Sequence, residues 1–251
     1  MSKKSLQDLR REVSGFTDEI RRELKEHVSE IRENLDRQVT RLRAEVEDVK
    51  EELERRQTRR TFSDEPLSDL DMATILWAAD GINRSNGRRT TPTALDWRET
   101  DIYLLKSNGI WRWVPEKNGL LFCDLADLRS ETFFAAPHLK VAPVHIVYVS
   151  NRPRTETLIS RLGEGVVEKL RHSAWTPEKL EEMRTRSMII DVGAKIQAVY
   201  MAAAAMDLSC VARTGFDARH VERILRLQKG ESVVAIQTLG YRPNSILDAI
   251  K

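Results

Sequence analysis

Cysteine is nearly absent from this chain of 251 residues: Cys123 and Cys210 are the only two. They lie far apart without metal-ligand spacing, which argues against a disulfide framework or a thiolate metal site. Each sits among apolar neighbours and reads as a buried free thiol. Charge of one sign is also lacking, because 41 Lys and Arg face 39 Asp and Glu for a net charge of +2. That balance points to neither nucleic acid nor an anionic membrane surface. No uninterrupted apolar run reaches the 18 residues of a membrane span, and the start, Met1-Ser-Lys-Lys, has no apolar signal core. A soluble, cytoplasmic protein is expected. The histidines His27, His138, His145, His172 and His220 have no triad or metal spacing, so no metal site is expected.

Proline is missing from the first 57 residues, which hold a single glycine, Gly15, and a single aromatic, Phe16. Their 14 Lys and Arg are mixed with 15 Asp and Glu. Apolar residues recur at Val13, Phe16, Ile20, Leu24, Val28, Ile31, Leu35, Val39, Leu42, Val46, Val49 and Leu53, 40 residues in 11 steps or 3.64 per step. The period predicts one long amphipathic helix over residues 1–55, close to an eleven-residue repeat. Such a rod suits self-association or docking on a helical partner, although packing on its own domain remains open.

From Thr58 the texture changes. A helix is expected after Ser63 or Ser68 as N-cap, with Leu70, Ile75, Leu76 and Ala79 on one face and Gly81 ending it. Asn108-Gly109 and Asn118-Gly119 divide β-prone runs into a meander. The run "APVHIVYVS" reads as a central strand buried on both faces. Residues 154–187 look helical and charged, with a break at Trp175 and Pro177. The small-residue stretch "DVGAKIQAVYMAAAAMDL" reads as a core helix, and "SCVART" and "SVVAIQTLGY" as strands separated by a helix. The order implies an α+β domain over residues 56–251 with a mixed sheet flanked by helices.

Three stretches carry a resemblance: "RQTRRTFSDEPLSDLDMATILWAADGINR", "RRTTPTALDWRETDIYLL", and "DVGAKIQAVYMAAAAMDLSCVARTGFD" followed by "VVAIQTLGY". In order and spacing, residues 56–243 resemble the nitroreductase-like flavoproteins, near the branch of azoline-forming oxidases. The resemblance implies a homodimer with two FMN molecules at its interface. Arg56, Gln57 and Thr58 match the family's phosphate and ribityl grip, and Arg60 a cation toward the ribityl or pyrimidine edge. Pro92, Thr93 and Ala94 match a turn against the isoalloxazine from the other subunit. Gln197 matches a helix amide, Arg213, Thr214 and Gly215 the backbone over the ring, and Arg242 a second phosphate cation. Gln57, Thr58 and Thr93 depart from the commoner Arg or His, Ser and Ser.

The implied activity is hydride transfer from NAD(P)H through flavin to an electron-poor small molecule by ping-pong chemistry. Residues 154–187 would form a lid, and no side chain is singled out as catalytic. Two alternatives stay open: an FMN oxidase or dehydrogenase needing no external NAD(P)H, and an interaction protein that keeps the fold. The residues by themselves also allow plainer readings. Arg55, Arg56, Arg59 and Arg60 could be the basic last turn of the long helix, and Arg88 and Arg89 a solvated loop.

Overall fold

The computed structural model describes residues 25, 29–30, 32–40, 47–133, 142–154 and 176–243. The chain divides into two units, Met1–Glu54 and Arg55–Lys251. In the first, residues 32–40 and the run from 47 are helical, with Leu35, Val39, Val49 and Leu53 of the apolar stripe exposed. Much of the expected helix lies outside the described residues.

The second unit contains α1 (Asp69–Asp80), β1 (Thr100–Lys106), β2 (Gly109–Val114), β3 (Gly119–Asp124), β4 (Val144–Asn151), α2 (Pro177–Ala205), β5 (Ser209–Arg213), α3 (Ala218–Ile224) and β6 (Glu231–Gly240). The strands form one six-stranded sheet in the order β3-β2-β1-β4-β6-β5. Every pairing is antiparallel, where a mixed sheet was expected. The helical crossover through α2 does leave β5 parallel to β4, but β6 inserts between them and pairs with both.

The apolar run of β4 is buried on both faces because helices cover both. Ile146 and Tyr148 pack with Ile75, Leu76 and Ala79 of α1 and Val199 and Ala203 of α2. Val147 and Val149 point the other way, toward Ile236 of β6 and Val221 of α3. Two polar groups that enter this core satisfy each other: the Tyr148 hydroxyl donates to Gln237 Oε1 at 2.7 Å, and Gln237 Nε2 donates to the Ile196 carbonyl at 3.2 Å. Burial pushes the Cys210 thiol up to about 12, so it is inert. Cys123 differs from expectation: it is exposed, because β3 is an edge strand along which Leu121, Phe122 and Cys123 in turn are open to water.

Ser68, not Ser63, caps α1 by accepting from the Asp71 amide at 3.0 Å. Leu70 is 77% exposed and Met72 takes the place expected for it in the core. The long helix α2 starts earlier than the small-residue pattern suggests. Pro177 sits in its first turn behind the Thr176 cap, and charged residues within it are buried in pairs, which hides the apolar period. Arg184, for example, donates to Glu99 at 2.6 Å. By length and composition Glu181–Ala205 could cross a membrane. Its buried Arg184, Asp191 and Lys195 and its packing on the sheet make it the core helix instead. Most of the expected lid, 155–175 with Trp175, lies outside the described residues.

Gly109 closes the first hairpin at φ +125°, where an added Cβ would stand 2.3 Å from the Asp124 carbonyl oxygen. Gly109→Ala is therefore expected to cost about 2 kcal/mol, from an unfavourable φ and a backbone clash together. Gly119→Ala is the control, since its Cβ would meet nothing nearer than 3.5 Å. Urea midpoints for the two variants check the contrast; equal midpoints would contradict it.

Candidate functional site

Of the guanidinium groups that follow the first unit, only Arg55 belongs to a helix end. Helical geometry ends at Arg55, and residues 56–60 have no regular structure. The segment is pinned instead to the sheet: the Arg59 amide donates to the Cys210 carbonyl at 3.0 Å, and the Ser63 amide to the Tyr241 carbonyl at 2.9 Å. This brings it beside Arg242, which follows β6. Arg56 lies over the Tyr200 ring at 5.7 Å, and that ring is fixed by the Ala212 amide, which donates to the Tyr200 hydroxyl at 2.7 Å. Gln57, Thr58 and Arg60 are exposed.

Charge in this corner is unbalanced. Burial, then the charge of Arg242, lowers the Arg59 pKa, and Arg55 adds to the effect while Asp207 opposes it. Arg242 pairs with Asp207, yet its Nε is buried with no partner among the described residues. Guanidinium groups held together at such a cost are a ready anion site.

The polar corner 87–98 is built on the end of α1. Thr90 Oγ1 donates to the Trp77 carbonyl at 2.9 Å, and Thr91 Oγ1 to the Ala79 carbonyl at 2.8 Å. The threonines thus satisfy carbonyls that a helix end leaves open. Arg89 is not solvated: it is buried, with Glu116 at 2.6 Å and Asp80 at 3.9 Å. Lys195 of α2 reaches up to Asp80 and to Thr91 Oγ1, the latter at 3.3 Å. The Ala94 amide donates to both oxygens of Asp191, at 3.1 and 3.0 Å, and Thr93 Oγ1 accepts from the Arg98 amide at 3.0 Å. Pro92 is exposed. Asp96 is neutralised by Arg98 at 2.9 Å.

The sequence-derived residues therefore fall into separate groups. Arg56 lies at Tyr200 and Arg242 beside Arg59, whereas Pro92, Thr93 and Ala94 sit at Asp191, nine residues before Tyr200 or about 13.5 Å earlier along α2 at 1.5 Å per residue. Gln197 and Gly193 are exposed on α2 between them, and Ile189 and Ile190 are exposed just before Asp191. Arg213 spends its side chain inside the fold, over the Phe133 ring at 4.2 Å and bonded to Thr132 Oγ1 at 2.6 Å. Burial lowers its pKa to about 10. At that site only the chain around Thr214 and Gly215 is open to a ligand. Arg59, Tyr200, Asp207 and Asp191 enter from the structure alone; only Arg59, within its arginine run, left a trace in the sequence. Among the described residues no cluster of metal-ligating side chains occurs.

Comparison with known proteins gives the same architecture. The chain is 22% identical over 196 residues to a nitroreductase-assigned protein of Methanocaldococcus jannaschii, covering 74% of this chain and 88% of the relative. A nitroreductase-assigned structure from Ralstonia eutropha JMP134 superposes with a TM-score of 0.65 at 26% identity, over 78% of this chain and 84% of that one. The Escherichia coli microcin synthetase McbBCD complex superposes with a TM-score of 0.59 at 13% identity, over 75% and 70% of the two chains; that likeness concerns fold alone. The profile of the Nitroreductase family matches residues 53–241, a span that takes in the arginine run, the threonine corner, α2 and the end of β6, and the chain therefore belongs to the nitroreductase family of oxidoreductases.

Proposed function

We propose that this protein is an FMN-dependent oxidoreductase that takes hydride from NAD(P)H and delivers it to an electron-poor small molecule such as a nitroaromatic or a quinone. The observation that carries the reading is the surplus of guanidinium charge where the 56–60 segment meets the end of β6. Arg242, with its unpartnered buried Nε, would grip the doubly charged phosphate together with Arg56 and Arg59, with Gln57 and Thr58 beside them as exposed donors. Arg60 and the backbone around Thr214 and Gly215 would face the ring. Bound FMN would supply the hydride chemistry; the chain's own task is to bind, orient and exclude water. No side chain is assigned as an acid or base.

The separation of the threonine corner from the arginine group within one chain favours a homodimer in which Pro92, Thr93 and Ala94 of one subunit, with Gln197, complete the site of the other. The exposed apolar side chains of Ile189 and Ile190 on α2 supply a face for that pairing. Residues 1–55 are read as a separate assembly helix. In this reading the protein works in the cytoplasm.

An absorbance spectrum of the purified protein, followed by stopped-flow mixing with NADH or NADPH under argon, tests this. Flavin bands that bleach on mixing are expected. Flavin that stays oxidised would favour an oxidase or dehydrogenase without external NAD(P)H, and a protein that takes up no FMN at all would leave only an interaction role.

A further inference from the structure

Between α1 and the threonine corner the chain folds into a short hairpin. Ile82 and Arg89 form an antiparallel bridge. The Asn83 amide donates to the Arg88 carbonyl at 3.2 Å, and the Gly87 amide to the Arg84 carbonyl at 3.0 Å. Gly87 takes φ +77°, a left-handed conformation that glycine adopts at little cost. Arg84 and Arg88 therefore stem from the two ends of the turn, and both are exposed. Beside the hairpin opens a cavity of about 390 Å³, with Arg84, Arg88, Pro92 and Asp96 at its exposed rim and Thr91 and Thr93 in its floor. Asp96 is neutralised by Arg98 at 2.9 Å, and Arg89, which also lines the cavity, by Glu116 at 2.6 Å. Arg84 and Arg88 have no ion pair or side-chain hydrogen bond among the described residues. They leave the wall with a surplus of two positive charges.

We propose that this cavity takes the 2′-phosphate of NADPH, with Arg84 and Arg88 as its cations, and that the protein prefers NADPH to NADH as hydride donor. The inference rests on the flavin reading above: Thr93, in the floor, belongs to the turn that would lie against the isoalloxazine, so a nicotinamide over that ring has the rest of its dinucleotide along the corner. A phosphate monoester carries about −1.5 to −2 charge near neutral pH, which balances the two unpaired guanidinium groups. Guanidinium forks also meet phosphate oxygens in paired hydrogen bonds, and an arginine near the ribose is a general way of accommodating a 2′-phosphate. NADH has a neutral hydroxyl there and offsets no charge. The FMN phosphate has other cations in Arg56, Arg59 and Arg242, which belong to the separate group at the end of β6.

Stopped-flow reduction of the full-length flavoprotein by NADPH and by NADH, with calorimetric titration of adenosine 2′,5′-bisphosphate and adenosine 5′-monophosphate beside it, tests the proposal. NADPH is expected to be favoured at least about tenfold in reduction rate over Kd, and the bisphosphate to bind at least about tenfold more tightly than the monophosphate. The double substitution Arg84→Gln with Arg88→Gln should bring both ratios close to one at unchanged FMN content, and Arg88→Lys should keep part of the preference, since it retains the charge without the fork. Equal use of NADPH and NADH by the parent, equal binding of the two adenosine phosphates, or a preference that survives the double substitution in a protein of unchanged circular dichroism would each overturn it. Loss of FMN on the double substitution would overturn it too, by assigning these arginines to the flavin phosphate. Selective bisphosphate binding without reduction of flavin by either nucleotide would keep the phosphate site and count against the flavin reading alone.

Discussion

Lys195→Met is expected to lower the unfolding free energy by about 3 kcal/mol or more, the range for removing one partner of a buried ion pair. The lysine and Asp80 side chains are 5% and 12% exposed. Truncating the ammonium leaves the Asp80 carboxylate in the core, and Arg89, at 3.9 Å, compensates only in part because Glu116 already holds it. The low end of the range is therefore appropriate. At roughly 2–4 °C per kcal/mol for a domain of this size, the melting temperature should fall by about 6–12 °C. Asp80→Asn combined with Lys195→Met removes both charges and should recover much of the loss, since Arg89 keeps Glu116. A single variant that melts within a degree or two of the parent would show that the pair is not what joins α2 to the end of α1. Thermal unfolding followed by circular dichroism gives the answer, and it matters for function: the same lysine reaches Thr91, so the pair also anchors the corner that carries Pro92 and Thr93.

That corner shows how far the sequence could be read. Two threonines beside a proline and two arginines announce a polar turn, and the resemblance assigned it to flavin. What a one-dimensional pattern does not contain is that Thr90 and Thr91 satisfy carbonyls of α1, or that the Ala94 amide is taken by Asp191, 97 positions away. The strands were legible because Asn-Gly turns and β-branched runs act locally. Sheet order was not, because nothing local dictates that β6 slides between β4 and β5. Helix α2 was placed too short for a related reason: Arg184, Asp191 and Lys195 break the apolar period, and only their partners, Glu99, Ala94 and Asp80, explain how a charged residue can face inward. The residues alone make the arginine run legible as positive charge; the resemblance makes it a phosphate grip with Arg242, and Asp207 joins it only through the fold.

Arg242→Gln is expected to weaken FMN binding roughly a hundredfold, about 2.8 kcal/mol at 1.4 kcal/mol per decade, because a guanidinium beside a phosphate dianion contributes charge and a paired hydrogen bond together. The variant should fold normally. Its pair with Asp207 joins side chains that are 37% and 56% exposed, and such surface pairs are worth about 0–1 kcal/mol. Asp207→Asn carries the opposite sign. It removes the carboxylate that now competes for Arg242, so affinity should rise, and the mutual repulsion of Arg59 and Arg242 that lowers the Arg59 pKa should deepen until a phosphate relieves it. Fluorescence quenching of FMN titrated with stripped protein measures both variants. Salt supplies an internal check, because binding driven by exposed charges weakens as the screening length shortens toward about 3 Å at 1 M. If Arg242→Gln holds FMN as tightly as the parent, or if Asp207→Asn loses it, the phosphate does not lie among these arginines, and their crowding has another cause.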